Sequence, residues 1–179
     1  GGYTSSLMFG IQWDLMLAFM QNKGGIDVST LTTDSTSIGN YRNNKWSITN
    51  NKAKYSKDYG TSWNDGSYTK KEEGAVLLTT GASDSFAKMN IYDVAGNVVE
   101  WTLEGYQSGS TVGSNGVKLA SLVNTQISPI RMAATTASVP RFSRGGSCDN
   151  FGSSYPASYR SNDEVVYYLA VVGFRVTLY

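Results

Sequence analysis

Apolar residues recur at every fourth position in one early stretch of the chain, between Leu7 and Met20. The residues at this spacing are Leu7, Ile11, Leu15 and Phe19. This period predicts a helix with a buried apolar face, with Trp13 in the core and a Thr or Ser between positions 4 and 6 capping its start. The run Asn-Lys-Gly-Gly from Asn22 predicts the end of the helix, and a second short helix is predicted near 27–31.

Two later stretches alternate between apolar and polar residues, from Val98 to Glu104 and from Val172 to Leu178. The apolar positions are Val99, Trp101 and Leu103 in the first stretch and Val172, Phe174, Val176 and Leu178 in the second. Such alternation predicts strands whose apolar face is buried and whose polar face meets solvent, as in an antiparallel sheet covered by a helix on one side. One early helix followed by late strands indicates an α+β fold.

Residues 32–74 are rich in Asn, Thr, Ser, Lys and Gly and show no sustained period. We expect long loops with little regular structure in this region. The aromatic residues expected to pin these loops are Trp46, Tyr55, Tyr59 and Trp63. Loops of this length within a compact domain are often functional.

Composition narrows the function mainly by what is absent. The length of 179 residues suits a single domain over 1–179. The chain has 15 Lys plus Arg and 14 Asp plus Glu, a balance that favours neither nucleic acid nor a membrane surface as partner. No apolar run is long enough to span a membrane and no signal peptide is visible, so we expect a domain excised from a longer protein. The absence of His and the single Cys, Cys148, exclude His-based nucleophile pairs, an internal disulfide and a two-thiol redox site.

Four motifs follow one another along the second half of the chain. They are Asn-Ile-Tyr-Asp-Val-Ala-Gly-Asn from Asn90 with Glu100-Trp101, Arg-Gly-Gly-Ser from Arg144, Ala-Ser-Tyr-Arg at 157–160, and Gly-Phe-Arg-Val from Gly173. In this order they resemble the formylglycine-generating-enzyme (sulfatase-modifying factor) family, and the Trp-containing helix lies where that family has one. The resemblance implies a loop-rich C-type lectin fold, with an antiparallel sheet and one or two helices. Val99 departs from the pattern, because the family usually has Trp there.

The catalytic branches of this family need residues that the chain lacks. The resemblance implies a copper site made by two cysteines after Arg-Gly-Gly-Ser in the formylglycine-generating enzymes, and an iron site made by histidines in the related sulfoxide synthases. With one Cys, directly after Ser147, and no His, neither site can form. We therefore expect a domain that is not an enzyme and requires no cofactor.

The C-terminal segment also resembles the variable proteins of diversity-generating retroelements, which use the same fold to bind. In these bacterial and phage proteins the hypervariable region follows Arg-Gly-Gly-Ser and ends at Gly-Phe-Arg, which corresponds here to about 149–172. Replacement of adenines in AAC codons cannot produce Met, Trp, Lys, Glu or Gln. Residues 1–148 contain 26 residues of these types, so proportion alone would place several in 149–172, which contains one, Glu164.

Tyr, Ser, Asn, Asp and Gly dominate this segment, a composition typical of antibody-like binding surfaces. The predicted ligand-binding residues are Asp149, Asn150, Phe151, Ser153, Ser154, Tyr155, Ser161, Asn162, Asp163, Val165, Tyr167, Tyr168 and Leu169. Pro156, Ala157 and Ser158 are expected to be framework between two displayed patches. The apolar Val165, Val166 and Leu169 suit core positions equally well, and an ordinary polar loop explains the same composition.

The partner implied by this interpretation is a protein or a glycan on a cell surface, and the domain is expected outside the cell, on a cell surface or on a phage virion. Two alternatives stay open. One is a fixed lectin-like or adhesin module without diversification. The other is a divergent formylglycine-generating-type enzyme with an unrecognised mechanism, for which Asp93, Glu100 and Asp163 are a candidate carboxylate cluster, although nothing in their spacing places two of them together in a cleft.

The resemblance implies one further feature, a structural calcium ion in the loop Asp-Val-Ala-Gly-Asn-Val-Val-Glu. Carried over by position, Asp93 and Glu100 would offer carboxylates, and Gly96 and Val98 would offer backbone carbonyls, all of them hard oxygen ligands. A tight turn explains the same residues without an ion, with Gly96 in an unusual backbone conformation and Asp93 capping nearby N–H groups.

Overall fold

The computed structural model describes residues 2–105, 141–163 and 169–178. Helices α1 (Gly10–Asn22) and α2 (Val28–Thr32) lie near the N-terminus, and a short 3-10 helix covers Asp84–Phe86. The strands are β1 (Ser5–Leu7), β2 (Trp46–Ser47), β3 (Lys54–Ser56), β4 (Asn64–Asp65), β5 (Thr69–Lys70), β6 (Leu77–Leu78), β7 (Ala87–Lys88), β8 (Ile91–Tyr92), β9 (Val99–Gly105), β10 (Arg141–Arg144), β11 (Arg160–Asp163), β12 (Val172–Phe174) and β13 (Val176–Leu178). Helices together with several small sheets confirm the predicted α+β class.

Helix α1 begins later than predicted, because residues 5–7 form strand β1 instead of its first turn. The predicted Thr or Ser cap was wrong. The Gln12 side chain instead accepts a hydrogen bond from the Phe9 N–H at 2.8 Å and satisfies a donor that the first helical turn leaves free. The second short helix lies close to its predicted position.

The buried face of α1 differs from the predicted one. Its buried residues are Gly10, Trp13, Asp14, Leu17 and Met20. The core position of Trp13 is confirmed, but Leu15 and Phe19 are 60% and 44% exposed. A strict spacing of four rotates about 40° around a 3.6-residue helix at each step, so the predicted row winds away from the core. The spacing of three and four from Trp13 keeps to one face.

The region 32–74 is mostly irregular, as predicted, but it contains four short strands, β2 to β5. Strand β3 pairs antiparallel with both β4 and β6, and β2 pairs with β5. Strands of two or three residues are too short to show an alternating pattern, which is why the sequence did not reveal them. Trp46 is buried in a second core cluster, whereas Tyr59 and Trp63 are 43% and 42% exposed and do not pin the loops as predicted.

A four-stranded sheet of order β11-β10-β9-β12 carries the C-terminal half of the described chain. Strand β10 pairs antiparallel with β9 and β11, while β12 pairs parallel with β9, so the sheet is mixed rather than purely antiparallel. Strand β13 pairs antiparallel with β1, which brings Leu7 opposite Val176.

The two faces of these strands are inverted relative to the prediction. In β9 the polar Glu100 and Thr102 are 5% and 2% exposed, while the intervening Trp101 is half-buried. In the last two strands Phe174 and Leu178 are 64% and 70% exposed. The inward Glu100 pairs with Arg175, and the inward Thr102 donates to the Phe142 carbonyl at 2.9 Å. Because these polar groups find partners inside, the apolar positions can face outward.

The main core lies beneath this sheet, between α1, α2 and the turn before β9. Its buried residues include Trp13, Leu17, Leu31, Tyr41 and Val94. The Trp13 ring also packs against the guanidinium groups of two arginines. Among the helices of the described residues, none is long and apolar enough to cross a membrane.

Candidate ligand-binding surface

One row of side chains crosses the outward face of all four strands. The register places Phe174 beside Trp101, Trp101 opposite Ser143, and Ser143 opposite Ser161. The row therefore changes from aromatic at β12 to hydroxyl-bearing at β11. It forms part of a cleft of about 310 Å³ lined by Val99, Trp101, Ser143, Ser147, Asp149, Asn150, Tyr155, Tyr159, Ser161, Leu169, Val171 and Val172.

Three ion pairs hold the inward face of the same strands. Glu100 receives hydrogen bonds from Arg175 Nε at 2.9 Å and Nη2 at 2.8 Å. Buried Arg144 pairs with Asp14 of α1, and buried Arg160 pairs with Glu104. Burial raises the pKa of Glu100, and the nearby Arg175 only partly opposes this. These pairs fix the inward face of the sheet.

The first predicted patch, 149–155, starts in a tight turn after Arg-Gly-Gly-Ser. The Asn150 side chain accepts hydrogen bonds from the Ser147 N–H at 2.8 Å and the Ser147 hydroxyl at 3.0 Å. The Asn150 carbonyl accepts the Arg42 N–H at 2.9 Å. The Asp149 carboxylate forms an ion pair with Arg42 at 3.2 Å. Asn150 thus contributes mainly to the turn, although it also lines the cleft.

In the middle of this patch, Gly152 is held by packing, whereas the side chains of its neighbours face solvent. A Cβ at Gly152 would lie 2.5 Å from the Thr36 backbone N and 2.8 Å from its Cα, so no side chain fits there. Phe151 is 41% exposed, and Ser153 and Ser154 are exposed. The backbone is therefore held while three side chains point to solvent.

The predicted framework residues between the two patches are buried. The Ala157 carbonyl accepts the Trp13 indole N–H at 3.0 Å, and its N–H donates to the Ser35 hydroxyl at 2.8 Å. The Ser158 N–H donates to the Leu31 carbonyl at 3.0 Å. Next to this framework Tyr155 and Tyr159 pack with their ring centroids 4.5 Å apart, at the wall of the cleft.

The second predicted patch is described only in part. Ser161 lines the cleft, and Leu169 is 49% exposed at its rim rather than in the core. Asn162 and Asp163 lie on β11 opposite Phe142 and Arg141. The predicted Val165, Tyr167 and Tyr168 lie outside the described residues, as does Val166.

Sequence reasoning did not select several residues that line the cleft. We predicted a buried position for Val99, Trp101 and Val172, and the sequence suggested no role for Ser143. The alternating pattern does reveal that Val99 and Trp101 share a face. It cannot reveal which face is inward, because that depends on charges distant in sequence.

A family model for the Sulfatase-modifying factor enzyme 1-like domain matches residues 30–178. The chain belongs to this family. None of the curated proteins matches it. Among solved structures, Treponema denticola variable protein 1 is similar, with a TM-score of 0.47 and 17% identity, over 96% of this chain and 46% of that protein. The chain thus spans less than half of the length of that protein.

The sulfatase-modifying-factor fold places Cys148 in the interior. Cys148 is fully buried, and its N–H donates to the Asn97 carbonyl at 2.9 Å. Burial, reinforced by the Asp149 carboxylate, raises the pKa of the thiol to about 12. At neutral pH the group is therefore a thiol rather than the thiolate that nucleophilic or copper chemistry needs.

The carboxylates carried over as calcium ligands are engaged with protein groups. Arg175 occupies both Glu100 oxygens, and its Nη2 also donates to the carbonyls of Tyr92 at 3.0 Å and Asp93 at 3.3 Å. Asp93 accepts the Gly81 N–H at 2.8 Å, and burial raises its pKa. Within the described chain no three His, Cys, Asp or Glu residues group around a metal position. Arg175 thus already engages the Glu100 carboxylate, which argues against calcium at that group, whereas Asp93 Oδ1 is buried without a hydrogen-bond partner among the described residues. The calcium site as a whole stays a prediction.

The same loop does show the backbone conformation expected of a tight turn. Gly96 has a φ of +68°, and a Cβ there would lie 2.6 Å from the Asn40 carbonyl carbon. Asp93 caps an N–H group, as the turn interpretation expects. Arg175 donates to the Glu100 carboxylate but only to the backbone carbonyl of Asp93, so it does not join the carboxylates of the suggested cluster.

Proposed function

We propose that this domain binds a macromolecular ligand without catalysing a reaction, through a diversified C-terminal surface formed by about 149–172. The observation that carries the proposal is the division of the first patch into anchored and displayed positions. Gly152 and the framework 156–158 are fixed by packing, while Phe151, Ser153 and Ser154 face solvent. Side chains can vary where a rigid scaffold holds the backbone.

The outward face of the sheet supports the same proposal. Its aromatic and apolar floor, with Trp101 and Val172, adjoins Ser161 and the buried Ser143, whose hydroxyl donates to the Ser161 carbonyl at 3.5 Å. Pockets that bind ligands combine such an apolar surface with a few polar groups that set orientation. The buried, protonated thiol of Cys148 and the absence of His support a role in binding rather than catalysis.

The test replaces Phe151 by Ala and measures both melting temperature and binding to a partner identified in a cell-surface screen. Because Phe151 is 41% exposed, we expect stability to change by only about 0.5 kcal/mol and binding to be lost. Phe86→Ala is the matched control, since this ring is 2% exposed and its loss should cost about 3–5 kcal/mol. A large loss of stability in Phe151→Ala would place the ring in the core and contradict the proposal.

Diversification itself is tested separately from binding. We expect the adjacent genome to encode a reverse transcriptase and to carry a near-copy of the coding region for 149–172, with substitutions at adenines. A locus without either would leave binding intact as a proposal but would favour the fixed lectin-like or adhesin module.

A further inference from the structure

The loop between β3 and β4 holds two aromatic side chains at the surface. Tyr59 and Trp63 are 43% and 42% exposed, whereas Trp46 and Phe86 of the neighbouring core are buried. Large exposed aromatic side chains close together on a rigid element are unusual for a surface that contacts only water. The proposed function does not account for this pair.

Hydrogen bonds preorganise this loop. The buried Ser56 hydroxyl donates to the Asp58 carboxylate at 2.6 Å and accepts the Gly60 N–H at 2.7 Å. Asp58 also accepts the Ser62 N–H at 2.8 Å. These hydrogen bonds hold the loop in one conformation, so its aromatic side chains are displayed at little further cost in conformational entropy.

Tyr59 is held in a conformation that its side chain disfavours. Its φ is +56°, in the left-handed region that residues with a bulky side chain rarely adopt. The ring of Trp63 lies over the adjacent Gly60, where a Cβ would be 3.6 Å from it. Unfavourable backbone conformations of this kind concentrate at functional sites.

This loop adjoins the first predicted patch. Tyr59 lies near the Asp149 carboxylate, and the pKa of Tyr59 is raised by burial and then by that negative charge. Asp149 also pairs with Arg42 at 3.2 Å, and Arg42 with Glu73 at 3.0 Å. Tyr59 therefore continues the surface that starts at Asp149.

We infer that Tyr59 and Trp63 form a constant aromatic part of the ligand surface and contact an apolar patch of a protein ligand. This inference rests on the proposed function, because it adds to the surface at 149–172. Tyr, Trp and Arg dominate the energetics of protein interfaces. The adjoining charges of Arg42, Glu73 and Asp149 already pair with one another, so they are poorly placed to orient the hydroxyl groups of a glycan.

The probe is a phage-displayed library of random peptides, selected on the wild-type domain and retested on variants. The variants are Trp63→Ala and Tyr59→Asn, the latter because Asn tolerates a left-handed backbone and keeps the loop in place. Tyr3→Ala, at a residue 87% exposed outside the cleft and the loop, is the matched control. We expect both loop variants to weaken binding of the selected peptides at least about tenfold without lowering the melting temperature, and the control to do neither.

Comparison with Phe151→Ala separates this inference from the proposed function. Peptides weakened by both Phe151→Ala and Trp63→Ala support one continuous surface. Peptides weakened by Phe151→Ala alone overturn the inference and leave the proposed function standing, whereas sensitivity to Trp63→Ala alone contradicts the proposed function. Enrichment of no peptide, or binding only to a glycan array, overturns the assignment to a protein ligand.

Trp63 fluorescence gives a second readout. Because Trp63 is 42% exposed and Trp13 and Trp46 are 1% and 6% exposed, iodide should quench mainly Trp63 and half-buried Trp101. A bound peptide is expected to protect the wild-type domain from iodide, and this protection should fall in Trp63→Phe. Quenching that peptide binding leaves unchanged contradicts contact with Trp63.

Discussion

Replacing Arg175 by Met removes the cation from the ion pair that ties β9 to the C-terminal strands. Arg175 donates two hydrogen bonds to Glu100, at 2.9 and 2.8 Å, and one to the Tyr92 carbonyl at 3.0 Å. The Glu100 side chain is only 7% exposed, so its charge would be left buried without a partner. Breaking a buried pair in this way costs about 3–5 kcal/mol.

The cost is measured by urea denaturation of the wild type and Arg175→Met at pH 7. In a domain of this size, each kcal/mol of lost stability lowers the melting temperature by about 2–4 °C, so we expect the melting temperature to fall by roughly 6–20 °C. Arg42→Met is the matched control, because the Arg42 side chain is 43% exposed and pairs with exposed Glu73, a kind of pair worth about 0–1 kcal/mol. Adding Glu100→Gln to Arg175→Met should restore much of the lost stability.

The loss should also depend on pH in one direction. Burial raises the pKa of Glu100, and Arg175 opposes that rise, so removing Arg175 raises the pKa further. A carboxyl with a raised pKa in the folded state binds its proton more tightly there than in the unfolded chain, so stability falls as pH rises through that pKa. The difference between wild type and Arg175→Met should therefore shrink on acidification. A loss below about 1 kcal/mol at pH 7, or one unchanged by acid, would refute the inward-facing ion pair.

Three further predictions concern the anchored backbone, calcium and copper. Gly152→Ala should lower stability by about 1–3 kcal/mol in urea, because its Cβ overlaps the Thr36 backbone, whereas exposed Ser153→Ala should change it by less than about 0.5 kcal/mol. Millimolar calcium or a chelator should leave the melting temperature unchanged, since Arg175 occupies both Glu100 oxygens, and a calcium-dependent rise would contradict this. The domain should form no formylglycine on a cysteine-containing sulfatase peptide, with or without copper, because one thiol cannot supply the two sulfur ligands of Cu(I). Product detected by mass spectrometry would contradict a non-enzymatic role.

Local patterns predicted the elements better than their orientation. The alternation in β9 identified a strand and grouped Val99 with Trp101 correctly, and the early apolar run identified α1. The inward face was wrong because Glu100 pairs with Arg175, 75 residues away, and Arg144 pairs with Asp14, 130 residues away. Apolar residues can be assigned to the inward face only where no residue distant in sequence pairs with a buried polar residue there.

The candidate surface could be predicted where composition carried the signal. The segment is rich in Tyr, Ser, Asn, Asp and Gly, which led to the prediction that Phe151, Ser153 and Ser154 contact a ligand. All three side chains are exposed in the structure. Tyr59 and Trp63 were assigned a packing role, since an aromatic residue in a polar loop usually anchors that loop. Their exposure follows from the hydrogen bonds of the loop and from a positive φ at Tyr59, which no local pattern encodes.

Under the proposed function, the inverted sheet would allow one small domain to combine stability with a variable surface. An ordinary strand buries its apolar face, so a substitution on that face changes the core and costs several kcal/mol. Here the inward row of Glu100, Arg144 and Arg160 fixes the sheet through ion pairs, and Trp101 and Ser161 contribute to the outward row instead. We expect substitutions at exposed outward positions to leave the core intact, so that chemistry at the surface can change while the scaffold stays folded. Under the proposed function, such a separation would give the ion pairs a role beyond their net contribution to stability.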